Sequence, residues 1–78
     1  MATMAQAKRD FENGAIRKFR IDNTMGKITL NLIYVNGFSL SETPLFDART
    51  KAPRIFKTWN AAISAADMVG FDVTSIGN

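Results

Sequence analysis

The chain has 78 residues, contains no Cys and no His, and carries a net charge of +3 from ten Lys and Arg against seven Asp and Glu. This composition excludes a disulfide, a thiolate or imidazole metal site, and any nucleophilic triad that needs His or Cys. A domain of this length buries only about 60% of the surface that its unfolded chain exposes, so its stability margin is expected to be thin.

The length and the distribution of apolar residues also limit the type of protein. We expect a single domain over residues 1–78. The N-terminus lacks the apolar run of a signal peptide, and no stretch approaches the roughly 20 apolar residues of a membrane span. The sequence therefore predicts a soluble, cytoplasmic protein with no membrane contact.

A short helix is predicted at the N-terminus. Thr3 is a suitable N-cap, and Asn13-Gly14 is a suitable C-terminal cap. Three apolar residues recur at helical spacing between them: Met4, Ala7 and Phe11. Because this stripe has one large residue, the helix is marginal unless it docks Phe11 on the core.

Alternation of apolar and polar residues then predicts a three-stranded antiparallel meander. The first strand covers Ala15–Asn23, turn-forming residues occupy 22–26, and the second strand begins at Lys27. Asn36-Gly37 predicts the second hairpin, whose return strand ends near Ser41.

The length of this second loop decides which residues face the core. A two-residue Asn36-Gly37 loop would turn Phe38 and Leu40 away from Leu32 and Tyr34, whereas a three-residue loop that begins at Val35 gathers all of them on one face. We expect the three-residue loop. It leaves Ile16 and Ile33 on the opposite, polar face.

After the meander, residues 42–53 are predicted to form a long surface loop pinned by Leu45 and Phe46, and residues 54–57 a short extended segment. Thr58 is the second N-cap, and Gly70 marks the C-terminal cap of the second helix. The apolar stripe of this helix consists of Trp59, Ala62, Ile63, Ala66 and Val69. Alternation over 71–76 predicts a short final strand.

The predicted fold class is therefore α+β, with a C-terminal helix packed on one face of the meander and an accessory first helix and last strand. The predicted core consists of Phe19, Leu30, Leu32, Tyr34, Phe38, Trp59 and Ile63.

Enzyme motifs are nearly absent. The carboxylates stand singly near helix ends, turns and loops, and no Gly-rich phosphate loop precedes a helix. We expect a non-enzymatic protein without a cofactor.

Basic residues on the first two strands and before the last helix are the best functional candidates, because an open sheet face can enter a DNA major groove. The candidate nucleic-acid-binding residues are Arg17, Lys18, Arg20, Lys27, Asn31, Arg49, Lys51, Arg54 and Lys57. The outer face is completed by Thr29, Ser39 and Ser41. The alternative is that this face and the loop cations are simply solvated, as in many antiparallel sheets.

Three further alternatives concern the partner. Single-stranded RNA is less expected than DNA, because the outer face offers no aromatic side chain on which a base could stack. A protein target, such as a host defence or replication component, competes with DNA, and a purely structural role is the third possibility. Ile16, Ile33 and Ile76 on outward positions favour a two-fold homodimer, unless the first helix or the long loop covers the second face of the sheet.

The segment Arg54–Val73, RIFKTWNAAISAADMVGFDV, resembles the C-terminal part of small plasmid- and phage-encoded proteins of uncharacterised function. In these a β-meander is followed by R-x-F-K-T-x-x-A-A opening a helix, so the resemblance implies a protein of a mobile genetic element. The strand and helix order is also similar, in fold alone, to small DNA-binding domains of phage integrases and of a plant transcription-factor family. The first helix and the last strand depart from those domains.

Overall fold

Three antiparallel strands in the order β1-β2-β3 form one sheet, and two helices pack against it. The computed structural model describes residues 2–73. Its elements are α1 (Met4–Glu12), β1 (Ile16–Thr24), β2 (Lys27–Asn36), β3 (Ser39–Pro44) and α2 (Trp59–Val69). The predicted α+β class is confirmed. Neither of the helices in this part of the chain is long and apolar enough to span a bilayer.

The helices begin and end where the capping residues predict. The Thr3 hydroxyl accepts the backbone N–H of Gln6, and the Thr58 hydroxyl accepts that of Ala61, which satisfies a free donor in each first turn. α2 ends at Gly70, whose φ of +133° is accessible mainly to glycine. The buried face of α2 consists of Ala62, Ala65, Ala66 and Val69. Small side chains on this face let the helix lie close to the sheet.

The predicted register of the second hairpin is wrong. Asn36 pairs with Ser39 and Val35 with Leu40, so the loop is the two-residue Gly37-Phe38. Gly37 has a φ of +63° while that of Phe38 is not positive, which matches a type II′ turn and the twist of the flanking strands. As a result Leu40 lies on the outer face of the sheet.

The prediction for Ile16 is also wrong, because β1 contains a bulge. Ile16 pairs with Tyr34 and Lys18 pairs with Ile33, so Arg17 is an extra residue on β1. The extra residue reverses the alternation of inward and outward side chains. Ile16 is consequently buried on the inner face rather than exposed on the outer one.

The inner face of the sheet is closed by residues that follow β3 in the chain. Leu45 is fully buried and donates its N–H to the Leu30 carbonyl, and Phe56 pairs with Ile28 beyond the end of β3. These side chains occupy the space on the inner face that the predicted three-residue loop would have given to Phe38. Phe38 is fully exposed, and Trp59 is 46% exposed, so neither belongs to the core.

The remaining core predictions hold in part. Leu30 and Leu32 are fully buried, and Phe19 and Tyr34 pack against the core from partly buried positions. Ile63 is half-buried. Residues 71–73 carry no strand, and the rest of the predicted final strand lies outside the described residues.

Helix α1 is tied to the inner face of the sheet by a charged hydrogen bond. The Tyr34 hydroxyl donates to the Asp10 carboxylate at 2.6 Å, and the Gln6 amide donates to the same carboxylate at 2.8 Å. The Tyr34 bond lowers the pKa of Asp10 despite the opposing effect of burial. Burial, and then the bond itself, raise the pKa of Tyr34, so its hydroxyl keeps the proton that it donates.

This bond predicts a pH-dependent stability. A lowered carboxyl pKa stabilises the fold above the pKa of the unfolded chain, about 3.9 for Asp, and this stabilisation is lost as the pH falls through the folded pKa. We expect Tyr34→Phe to lower the free energy of unfolding by about 1 kcal/mol at pH 7. In urea unfolding the difference should shrink below about pH 4. A difference that stays constant in acid would contradict the assignment.

Candidate nucleic-acid interface

The outer face of the sheet is defined by the strand pairing. Lys18, Arg20 and Asp22 on β1 lie opposite Ile33, Asn31 and Thr29 on β2, respectively. Their partners on β3 are Glu42, opposite Ile33, and Pro44, opposite Asn31. Both helices pack on the inner face, so neither α1 nor α2 covers this surface. Ser41 pairs with Tyr34 and Ser39 with Asn36, both on the inner side, so the prediction that they lie on the outer face is wrong.

A salt bridge crosses the middle of this face. The Arg20 guanidinium binds the Glu42 carboxylate and also lies 3.5 Å from Asp22. Because neighbouring strands are about 4.8 Å apart, Arg20 has to extend across β2 to reach β3. Asn31 on the intervening strand is 8% exposed, and its amide donates to Thr29 at 3.3 Å. The hydrogen bond with Glu42 raises the pKa of Arg20 above its ordinary value.

The other sequence-predicted cations are exposed around the fold. Arg17 and Lys18 lie on β1, an edge strand, and Lys27 opens β2. The rest lie between β3 and α2: Arg49, Lys51, Arg54 and Lys57. Within residues 2–73, the salt bridges are those of Arg20 alone. The predicted basic residues are therefore distributed over two regions rather than gathered on one face.

The loop after β3 is an ordered turn. The Asp47 carboxylate accepts the backbone N–H groups of Arg49 at 2.8 Å and Thr50 at 3.3 Å, which lowers the pKa of Asp47. The Lys51 N–H donates to the Asp47 carbonyl, and Phe46 pairs with Pro53 across the base of the loop. Arg49 and Lys51 are thus held on a structured turn.

Several carboxylates have a hydrogen-bonding or ionic partner within the chain. Asp10 is bound by Tyr34, Asp22 and Glu42 lie against Arg20, and Asp47 caps its own loop. The cations of the loop and of the β1 edge face solvent instead. This unequal use of charge leaves the cations of the loop and of the β1 edge without a salt bridge among the described residues.

A cleft of about 470 Å³ is formed by residues of the edge strand β1 together with residues at the two ends of α2. It is lined by Arg17, Lys18, Phe19, Ile21, Trp59, Phe71 and Asp72. Sequence reasoning selected Arg17 and Lys18 but missed the aromatic lining, because Trp59 and Phe71 stand at opposite ends of α2 and meet β1 only in the fold. The local signal that would have pointed to the cleft is the position of Trp59 directly after the N-cap Thr58, in the first turn of the helix.

A comparison of the chain with models of protein families, with curated proteins and with solved structures finds no match. What the protein binds is therefore inferred from its own residues.

Proposed function

We propose that this chain is a non-enzymatic DNA-binding protein of a mobile genetic element that acts in the cytoplasm. The observation that carries the proposal is the unequal use of charge: exposed cations on the β1 edge and on the loop make no salt bridge among the described residues, while Asp10, Asp22, Glu42 and Asp47 have partners within the chain. Phosphate contacts by Lys and Arg supply most of the affinity of such proteins. The origin in a mobile element rests on the resemblance of Arg54–Val73.

The residues proposed to contact phosphates are the exposed cations: Arg17, Lys18, Lys27, Arg49, Lys51, Arg54 and Lys57. Arg20 and Asn31 are less suited, because Arg20 is held by Glu42 and Asn31 is nearly buried. The proposal consequently gives more weight to the rim of the sheet and the loop than to direct readout of bases by the sheet face.

Salt dependence tests the proposal. We expect a labelled duplex to bind with an affinity that falls steeply between about 50 and 200 mM salt, as counterions are released from each neutralised phosphate. Glu42→Gln should free Arg20 for one more phosphate contact and steepen the logarithmic salt slope by about 1. Fluorescence anisotropy over a salt series measures both effects.

The control is Glu12→Gln, which makes the same change in charge at an exposed position on α1. It should raise the affinity slightly and leave the slope unchanged. If neither duplex nor single-stranded DNA bound at about 50 mM salt, even near the 10⁻⁴ M range of weak non-specific binding, DNA binding would be rejected.

A protein partner is the second candidate function, and a separate observation favours it. Leu40 is 71% exposed on the outer face, Phe38 is fully exposed at the adjacent hairpin, and Val35 and Ile33 continue this apolar patch. Apolar patches of this kind mark protein contacts, including contacts with a second copy. Ile16 is buried and therefore does not contribute to a dimer contact. This function would be supported by binding of one protein that does not weaken with salt, or by a dimer in sedimentation. In either case Leu40→Asp should abolish the interaction.

A further inference from the structure

The cleft beside β1 combines an aromatic wall with a cationic rim. Phe71 is buried at its floor, where its ring lies 4.8 Å from both Phe11 and Phe19 in tilted or edge-on contact. Trp59 is 46% exposed at the first position of α2, which is fixed by the Thr58 cap. The floor is therefore held by packing, while the indole of Trp59 offers free surface to a ligand.

Two successive cations, Arg17 and Lys18, line the cleft at the bulge in β1. In a regular strand neighbouring side chains point to opposite faces. Arg17 is the extra residue between Ile16 and Lys18, and both Arg17 and Lys18 line the cleft. Bulges often re-aim side chains beside functional sites. Here the bulge sets the exposed Arg17 beside Lys18 in a lining that is otherwise aromatic and aliphatic except for Asp72.

The lining also limits the chemistry of the ligand. Two cations are accompanied by one carboxylate, Asp72, and by the apolar side chains of Phe19, Ile21, Trp59 and Phe71. A ligand that joins an anionic group to an uncharged planar group fits this composition better than a dense run of carboxylates. The volume of about 470 Å³ is within the range of roughly 300 to 1,000 Å³ typical of ligand pockets.

We propose that the cleft binds an unpaired nucleotide of single-stranded nucleic acid, with its base stacked on Trp59 and its phosphate held by Arg17 and Lys18. This inference rests on the proposed function. It adds that the protein recognises nucleic acid in single-stranded form. A duplex keeps its bases stacked on each other, so they are not available to Trp59, whereas aromatic platforms with basic grooves are typical of single-strand binding. The aromatic surface that the outer face lacks is thus present at the edge of the sheet.

The single Trp of the chain makes the test direct. We expect an oligothymidine to quench the fluorescence of Trp59, and an abasic oligonucleotide of the same length and charge to leave it nearly unchanged. Trp59→Ala should weaken binding of labelled oligothymidine by about 5- to 150-fold, because each stacked base contributes that range on removal of its platform. Trp59→Phe, which keeps a ring, should lose less.

The matched control is Phe38→Ala, which removes a fully exposed aromatic ring outside the cleft. It should leave the affinity for oligothymidine unchanged, and circular dichroism checks that each variant is folded. Duplex DNA should bind without quenching Trp59.

The possible failures are distinguishable. If abasic and base-carrying strands bound equally and Trp59→Ala had no effect, the cleft proposal would be overturned while DNA binding stood. If oligoglutamate quenched Trp59 as strongly as oligothymidine, the cleft would be a site for acidic peptides instead. If no nucleic acid bound, the proposed function itself would fail, and the cleft proposal with it.

Discussion

Leu32→Ala is expected to destabilise the fold by about 2 to 5 kcal/mol, the range for removing a buried leucine side chain. Leu32 is fully buried on β2, the central strand. A core of this size rarely supplies more than about 3 to 5 kcal/mol in total, so the variant should be largely unfolded at 25 °C. Urea unfolding followed by circular dichroism measures the loss.

Leu40→Ala is the matched control, because it makes the same chemical change on a side chain that is 71% exposed. It should change the free energy of unfolding by no more than about 0.5 kcal/mol. The pair also tests the register of the β2–β3 hairpin, since the three-residue loop would have placed Leu40 in the core. A cost for Leu40→Ala close to that of Leu32→Ala would contradict the two-residue loop.

Gly70→Ala is expected to have the second large effect. Gly70 has a φ of +133°, and a Cβ there would lie 2.7 Å from Cδ1 of Phe11. The backbone conformation costs a non-glycine residue about 1 to 3 kcal/mol. The overlap adds a cost of about 1 to 3 kcal/mol, because the Phe11 ring is held against Phe71 and cannot move freely. Thermal or urea unfolding of the variant measures the total.

Gly14→Ala separates the cost of the backbone conformation from the cost of the overlap with Phe11. Gly14 also has a positive φ, +80°, but nothing lies within 4 Å of an added Cβ. Its cost should be limited to about 1 to 2 kcal/mol from the backbone alone. In a Phe11→Ala background, Gly70→Ala should cost less than it does in the native chain, since the overlapping ring is gone. Equal costs in both backgrounds would show that the contact with Phe11 is unimportant.

Local signals in the sequence were sufficient to predict the two helices and the three strands of the meander, but not the end of β3 at Pro44, and they predicted a strand at 71–73 that is absent. Thr3 and Thr58 begin helices, Gly70 ends one, and the alternation around Leu30 marks the central strand. Each of these signals acts within a few residues of the feature that it specifies, through a capping hydrogen bond, a positive φ or the pleat of a strand. The α+β class follows from their order along the chain.

Prediction of the candidate site was less complete. The exposed cations could be selected from composition and position, but Arg20 could not be separated from them, because its partner Glu42 lies on another strand. Trp59 was assigned to the core on helical spacing alone. A helical stripe shows which residues share a face, but not how far that face extends over the sheet.

The register of β3, the burial of Ile16 and the cleft were decided only by the tertiary structure. Leu45 and Phe56 fill the inner face from outside the meander, so Phe38 and Leu40 are not needed there. The bulge at Arg17 reverses the alternation of β1 and buries Ile16, and the cleft forms where β1 meets residues at the two ends of α2. These outcomes depend on which distant side chains compete for the same space, and packing of that kind is not encoded in the period or capping of any single segment.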